Sequence, residues 1–356
     1  MDALDRIHLA MTASRTLPLA AGLLGATAAV CALSRMRVRS ISGDVVLIGG
    51  GSRGLGLVMA ERFGRADAKL VLAARHAEEL EQARRLLLER GAVKSVDHVL
   101  LIPTDLTKPV EVQTMVETAL HRFGKIDILI NNAAVIEIGP FEDQTLEAFE
   151  RAMHVNFFAA LQAIQAILPD MLRRFRDAGE RSAIVNICSI GGKFGVPHLL
   201  PYVASKFALT GLSEGLHAEL RHEGIRVTTV CPGLMRTGSV GQAQFTGRAE
   251  DEYRWFAFSA TTPGIATTAE HAANRIFHAV RRGAAEITIT PQAWLGARAN
   301  GIAPGVTAYV CSLANEYLLP EPSGNRTLHS GKEVRSTTTD RTRQLEQQHN
   351  QWHTAE

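Results

Sequence analysis

Aromatic side chains are scarce in this chain, 6% of 356 residues, and the formal net charge is only +2. So few rings give no stacking platform for bases, and so small a charge excess gives no basic footprint for a phosphate backbone. No nucleic-acid partner is expected. Cysteine is also sparse: Cys31, Cys188, Cys231 and Cys311, none in a Cys-x-x-Cys pair, all among mainly apolar or small neighbours. That spacing offers neither a disulfide framework nor a zinc site, so no metal is expected. The thiols read as buried and reduced, which fits a reducing compartment. What the chain has in quantity is apolar material, 46% against 21% charged residues, an ordinary balance for a soluble enzyme. Its length suits one large domain with appendages, or two small domains.

Residues 1–40 stand apart. Positions 17–33 read LPLAAGLLGATAAVCAL without a charge, with Arg15 before them and Arg35, Arg37 and Arg39 after. The run is slightly short of the roughly 20 residues that span a bilayer comfortably. Three readings compete: a membrane anchor, a cleaved signal peptide, and an interfacial or packed helix. The anchor is preferred, because an Arg-rich stretch follows directly where a cleavage region would lie. By the positive-inside rule the rest of the chain would then face the cytoplasm, giving a membrane-associated protein with a cytoplasmic catalytic domain.

From residue 44 the pattern becomes regular. Short β-branched runs at 45–48, 69–73, 99–102, 126–130, 183–187, 227–230 and 287–289 alternate with helical stretches. The helices are expected over 55–64, 77–90, 110–123, 146–168 and 202–222. Strand–helix alternation means βαβ units and an α/β fold with a parallel sheet. Continuous rather than alternating apolar strands fit a sheet covered on both faces. Between 233 and 263 the alternation lapses into Gly, Gln, Thr and aromatics, as in a lid or binding loop. Residues 291–320 form a moderately apolar C-terminal extension. Residues 321–356, poor in apolar content, read as a disordered tail.

The glycine-rich stretch Gly49-Gly50-Gly51-Ser52-Arg53-Gly54-Leu55-Gly56 follows the first strand and opens a helix. In that context glycines permit a tight turn and close backbone approach to a pyrophosphate, and the helix N-terminus supplies free N–H groups. Taken alone, the same run is an ordinary βα loop. The second strand ends Ala73-Ala74-Arg75, with no carboxylate to hold a ribose 2′-hydroxyl. Arg75, with Arg53 opposite, would instead clamp a 2′-phosphate, which points to NADP(H).

Tyr202 and Lys206 are spaced i,i+4 at the start of a helix and so share one face. A free phenol titrates near pH 10 and is a poor base at neutral pH. A neighbouring ammonium would lower that value and make Tyr202 a proton-transfer group. Ser189, thirteen residues earlier, follows a strand and can orient a substrate oxygen. Each feature singly is commonplace; their order behind the glycine loop is not.

In these motifs the chain resembles the short-chain dehydrogenase/reductase family over residues 43–290. The matching elements are Gly50-x-x-x-Gly54-x-Gly56, Asp105-Leu106, Asn131-Asn132-Ala133-Ala134, Asn156, Ser189, Tyr202-x-x-x-Lys206 and Pro232-Gly233. The resemblance implies a Rossmann-type doubly wound parallel sheet with helices on both faces, and NAD(P)-dependent redox chemistry. It implies that Asp105 contacts adenine, that Asn132 sits beside the cofactor and steadies the central strand, and that Thr237 contacts the nicotinamide carboxamide. It places Asn156 in a proton relay running through Lys206 to Tyr202, and lets Lys206 hold the nicotinamide ribose. Gly49 replaces the usual threonine, and Ala134 the usual glycine of Asn-Asn-Ala-Gly. Without the resemblance, Asn131 and Asn132 satisfy strand-end backbone groups, Asn156 is a buried helix asparagine, and His154 is structural. His198 reads as a solvated loop residue, although it lies next to Tyr202.

The expected function is an NADP(H)-dependent oxidoreductase interconverting a carbonyl and an alcohol, acting on an apolar, lipid-like substrate. An epimerase or dehydratase of the same fold, and a non-catalytic dinucleotide-binding protein, are the competing readings. Intact Ser189, Tyr202 and Lys206 argue against the last. A homo-oligomer is expected from the family.

Overall fold

The run VVLIG at Val45–Gly49 (β1) is buried along its whole length, as a strand covered on both faces must be. The computed structural model describes residues 38–337 apart from Pro263; the proposed anchor at 17–33 lies outside the described residues. The chain divides after Ser40, and the architecture that follows is that of the unit beginning at Ile41.

After β1 come α1 (Gly54–Gly64), β2 (Lys69–Ala74), α2 (Ala77–Glu89), β3 (Val99–Pro103), α3 (Pro109–Phe123), β4 (Ile128–Asn131) and β5 (Glu137–Ile138). Next are α4 (Leu146–Met153), α5 (Ala159–Ala178), β6 (Ser182–Ile187), α6 (Leu200–Leu220) and β7 (Ile225–Cys231). The C-terminal part holds β8 (Met235–Arg236), α7 (Ser239–Gln242), β9 (Gln244–Phe245), α8 (Ala249–Thr261), β10 (Thr267–Thr268) and α9 (Ala269–Arg282). It ends with β11 (Glu286–Thr288), α10 (Pro291–Ile302), α11 (Pro304–Leu318), β12 (His329–Ser330) and α12 (Gly331–Thr337).

Seven strands form one parallel sheet in the order β3-β2-β1-β4-β6-β7-β11. Successive strand side chains point to opposite faces, and two cores result. Val46, Ile48, Leu70 and Leu72 pack with Met59 and Phe63 of α1 and with Ile276 and Phe277 of α9. Val45, Leu47 and Val71 face the other way, onto Met115 and Val116 of α3 and Ile164 and Ile167 of α5. The strand order reverses between β1 and β4, where a doubly wound sheet opens a crevice at its C-terminal edge.

Three segments differ from the sequence-based expectation. The helix expected over 146–168 is α4 and α5 joined by a π-helical turn, His154–Phe158. Although 146–178 is long and apolar enough to cross a membrane, Ala163, Ile164, Ile167 and Met171 pack it onto the sheet. The irregular stretch 233–263 folds into β8, α7, β9 and α8, and builds a third core around Phe245, Tyr253, Phe256 and Ala257. Within the tail read as disordered from residue 321, the described residues 321–337 are ordered: β12 pairs antiparallel with β9, Gly331 N donates to Ala243 O, and Val334 is buried in the third core. Backbone pairing and one valine do this, which a low apolar content conceals. By contrast α11 has no buried residue, and Val306, Tyr309, Val310 and Tyr317 on it are exposed.

Candidate active site

The glycine turn after β1 is fixed by the neighbouring strand end: the N–H groups of Gly50 and Gly51 both donate to Ala73 O (2.8 and 3.2 Å). Gly50 has φ +79°, and a Cβ there would lie 2.9 Å from the Ala133 backbone. A Cβ on Gly56 would lie 2.0 Å from Gly50 O. Asn132 Nδ2 donates to that same oxygen (2.9 Å), so it stitches the β4 loop to the turn. Gly49 has Leu106 Cδ1 3.2 Å from where a Cβ would stand, so an apolar contact occupies the place of the missing threonine.

The N-terminus of α1 has no side-chain cap and no acid in its first turn, and Gly54 and Leu55 line a cavity of about 540 Å³. An uncapped helix start whose partial positive charge meets open space fits a pyrophosphate. Arg75 lines the same cavity at the end of β2. Arg53 lines it too, with its guanidinium paired to Glu79 Oε1 at 2.8 Å, and Ser52 Oγ donates to Glu79 Oε2 (3.0 Å). Both arginines expected to form a clamp therefore line the cavity, and one of them also holds a carboxylate of α2. Asp105 accepts from the Thr107 N–H and Oγ (3.0 and 2.7 Å). Burial works to raise its pKa, but those bonds and the Lys108 and Arg75 charges hold it below the usual carboxylate value.

At the other end of the cavity, Pro201 in the first turn of α6 presets the helix start. Tyr202 and Lys206 therefore follow one turn apart, and with Ser189 they line the cavity. Ser189 Oγ accepts from Gly191 N (3.0 Å). Lys206, 1% exposed, donates to Ile187 O (2.8 Å), with Nζ 5.6 Å from the Tyr202 ring centroid. Burial lowers the Lys206 ammonium to about 8. Burial also pushes the Tyr202 phenol up to about 12. The direction is opposite to the lowered phenol pKa expected from the sequence, because desolvation of the phenolate dominates.

Asn156, in the π turn, donates to Val135 O (3.1 Å) and Ser205 Oγ (2.9 Å) and accepts from Val135 N (2.8 Å). Ser205 in turn donates to Tyr202 O (2.7 Å), so this asparagine reaches the backbone at the start of α6. Asn131 pairs with Asn186 (2.8 Å) and Asn186 with Ser213 (3.0 Å), a structural chain between strands. Ile190 N donates to Pro232 O (2.9 Å), and a Cβ on Gly233 would lie 2.3 Å from Thr290 Oγ1, so both are tightly held where they line the cavity. Thr237 lines the cavity and is nearly buried. His154 is exposed, on Glu150 O. His198 is not a solvated loop residue: it is 5% exposed and its Nδ1 lies 2.7 Å from Glu252 Oε1. Phe194, Leu199, Val203, Trp255 and Phe256 complete the apolar wall. The sequence signalled Trp255 and Phe256 only as part of an aromatic cluster. Cys188 and Cys231 are buried free thiols, as read from their neighbours, and burial raises the pKa of both.

The short chain dehydrogenase family pattern matches residues 44–246. A protein named Dehydrogenase/reductase SDR family protein 7-like, from Anopheles gambiae, is 34% identical over 254 residues, 71% of this chain and 77% of its own length. Dehydrogenase/reductase SDR family member 7B from Mus musculus is 31% identical over 312 residues, 87% of this chain and 90% of its own. A 3-alpha-(or 20-beta)-hydroxysteroid dehydrogenase from Mycobacterium bovis is 33% identical over 195 residues, 55% and 70% of the two chains. Among solved structures, a short-chain dehydrogenase from Streptomyces avermitilis superposes with a TM-score of 0.62 at 26% identity, covering 77% of this chain and 97% of its own. One from Burkholderia phymatum in complex with NAD shares the fold, with a TM-score of 0.67 at 24% identity, over 80% and 99% of the chains.

Proposed function

The chain belongs to the short-chain dehydrogenase family, and on that premise we propose that it is an NADP(H)-preferring reductase of apolar carbonyls in which Tyr202 donates the proton. The family assigns it to the oxidoreductases that interconvert carbonyl and alcohol with a nicotinamide dinucleotide. When bound, that cofactor supplies or accepts the hydride. The observation that carries the proposal is that Ser189, Tyr202 and Lys206 together line one end of a cavity whose other end is the glycine turn and the bare start of α1.

The Tyr202 phenol, pushed up by burial, keeps its proton across the physiological range and so can donate it to a carbonyl oxygen. Ser189 Oγ, beside it, positions that oxygen. Lys206 replenishes the phenol and steadies the phenolate that donation leaves. Asn156 holds the helix start through Ser205, and the unused lone pair of its Oδ1 is where the proton relay would continue. Gly50, Ser52, Gly54, Leu55, Gly56, Asn132, Pro232, Gly233 and Thr237 would cradle the cofactor, with Asp105 and Leu106 towards adenine. Arg75 would face the 2′-phosphate, which supports NADP(H).

An apolar substrate fits the wall of Leu199, Val203, Trp255 and Phe256, and a relative named as a hydroxysteroid dehydrogenase supports a bulky one. Membrane association through 17–33, with the catalytic unit on the cytoplasmic side, rests on the run's apolar sequence and the arginines after it. Exposed Phe158 and Phe207 support a homo-oligomer. The test compares wild type with Tyr202→Phe for NADPH oxidation over a panel of aliphatic and cyclic ketones. Turnover should fall at least 100-fold in the variant; equal consumption by both proteins overturns the assignment.

A further inference from the structure

Glu252 lies in the first turn of α8 and is 0% exposed, although its neighbours on that face are Tyr253, Phe256 and Ala257. A carboxylate so deeply enclosed is costly unless hydrogen-bonded. Both of its oxygens are engaged, and to different walls of the cavity. Trp255 Nε1, which can only donate, gives its proton to Glu252 Oε2 at 2.6 Å. His198 Nδ1 meets Oε1 at 2.7 Å.

Trp255 lines the cavity and stacks edge-on against Phe256, 5.7 Å between centroids, with Ser259 and Ala260 lining it one turn further along the same helix. His198 belongs to the loop that enters α6, four residues before Tyr202. That loop is itself pinned: His198 has φ +61°, a left-handed backbone unusual for histidine, and its carbonyl accepts from Gly139 N (2.9 Å). Leu199, Tyr202 and Val203 follow directly and form the opposite wall. One carboxylate therefore ties the helix that covers the substrate half of the cavity to the loop that positions the proton donor.

We infer that Glu252 is a specificity-determining positioning residue: by holding the Trp255 indole and the His198 loop in a single arrangement, it sets the gap between α8 and Tyr202 and so decides which carbonyls fit. The inference rests on the proposed reduction of apolar ketones in this cavity. Without Glu252, both the indole and the imidazole lose a partner. Trp255 then swings into the space a bulky ring would fill, while a small ketone still reaches Tyr202. The glycine turn, at the other end of the cavity, is untouched.

The experiment measures kcat and KM with NADPH for a bicyclic ketone, α-tetralone, and a monocyclic one, cyclohexanone, on the full chain. NADPH affinity is measured in parallel by cofactor fluorescence. Glu252→Ala should lower the bicyclic-to-monocyclic ratio of kcat/KM at least 10-fold, mainly through KM, with NADPH affinity within 2-fold of wild type. Glu252→Gln, which can still accept from the indole and donate to the imidazole, should restore the ratio to within 3-fold. Should Glu252→Ala fail to fold, Trp255→Phe keeps a ring but lacks the N–H, and should shift the ratio the same way by at least 3-fold. A ratio equal to wild type in Glu252→Ala, or in Trp255→Phe where that variant stands in, overturns the inference, since a purely structural carboxylate would depress both substrates together. If wild type binds NADPH but reduces neither ketone, the apolar-ketone reading fails and takes this inference with it.

Discussion

Replacing Lys206 by methionine should make the protein more stable at neutral pH while disabling it. Lys206 is 1% exposed, and burial lowers its ammonium from 10.5 to about 8. The shift of roughly 2.5 units corresponds to about 3 kcal/mol, because one unit is worth about 1.4 kcal/mol. The sign follows from proton counting. Below pH 8 both the folded and unfolded chains carry the proton, and folding bears the whole cost. Between about 8 and 10.5 the unfolded chain holds more protons, so stability rises with pH, and above 10.5 the cost is gone. Methionine is close in volume and carries no charge, so it removes that cost at pH 7. It also removes the bond to Ile187 O, a loss of about 1 kcal/mol. The net expectation is a gain of about 2 kcal/mol at pH 7, vanishing by about pH 9.5. Urea denaturation followed by circular dichroism at both pH values measures it. A variant less stable than wild type at pH 7, with a difference that does not change with pH, refutes the reasoning.

Three further outcomes are expected. Arg75→Ser should weaken NADPH binding roughly 10- to 100-fold, the range for losing a charge-assisted bond, while changing NADH affinity less than about 3-fold; fluorescence titration with both cofactors checks it, and equal losses for the two would remove Arg75 from the 2′-phosphate. Gly56→Ala places a methyl group 2.0 Å from Gly50 O, so cofactor binding should fall at least about 10-fold and the thermal midpoint should drop; calorimetry with and without NADPH reads both. Truncation after residue 320 strips β12 from β9 and Val334 from the third core, which should lower stability by about 2 kcal/mol; an unchanged urea midpoint would show that the pairing contributes nothing.

Local signals made much of the fold legible. Runs such as VVLIG have no polar face, so they must be covered on both sides, and the helices between them give the parallel order. The glycine turn was readable because sterics leave few residues able to stand at Gly50 and Gly56. Partner choice was not readable. Nothing in the spacing of Arg53 and Glu79, 26 positions apart, shows that they meet. His198 and Glu252, 54 positions apart, are the same case on the substrate side. The tail was missed for a second reason: composition counts apolar residues, whereas β12 is held by backbone hydrogen bonds that any sequence can make.

The reversed phenol shift concerns what Lys206 is for. In the folded ground state burial dominates, and Tyr202 is a weaker acid than free tyrosine. If Tyr202 donates as proposed, the phenolate ring that remains has its centroid 5.6 Å from the Lys206 Nζ. An ammonium attracts a phenolate but not a neutral phenol, so the attraction grows only as the proton leaves. An interaction that appears only as charge develops accelerates the step, whereas one already present in the ground state does not. The lysine thus matters at the moment of transfer, and its charge at neutral pH, with a value near 8, is what keeps that attraction available. The same burial that makes the ammonium expensive to fold is what makes its attraction for the nascent phenolate strong, so stability given up at Lys206 and rate gained at Tyr202 have one physical origin.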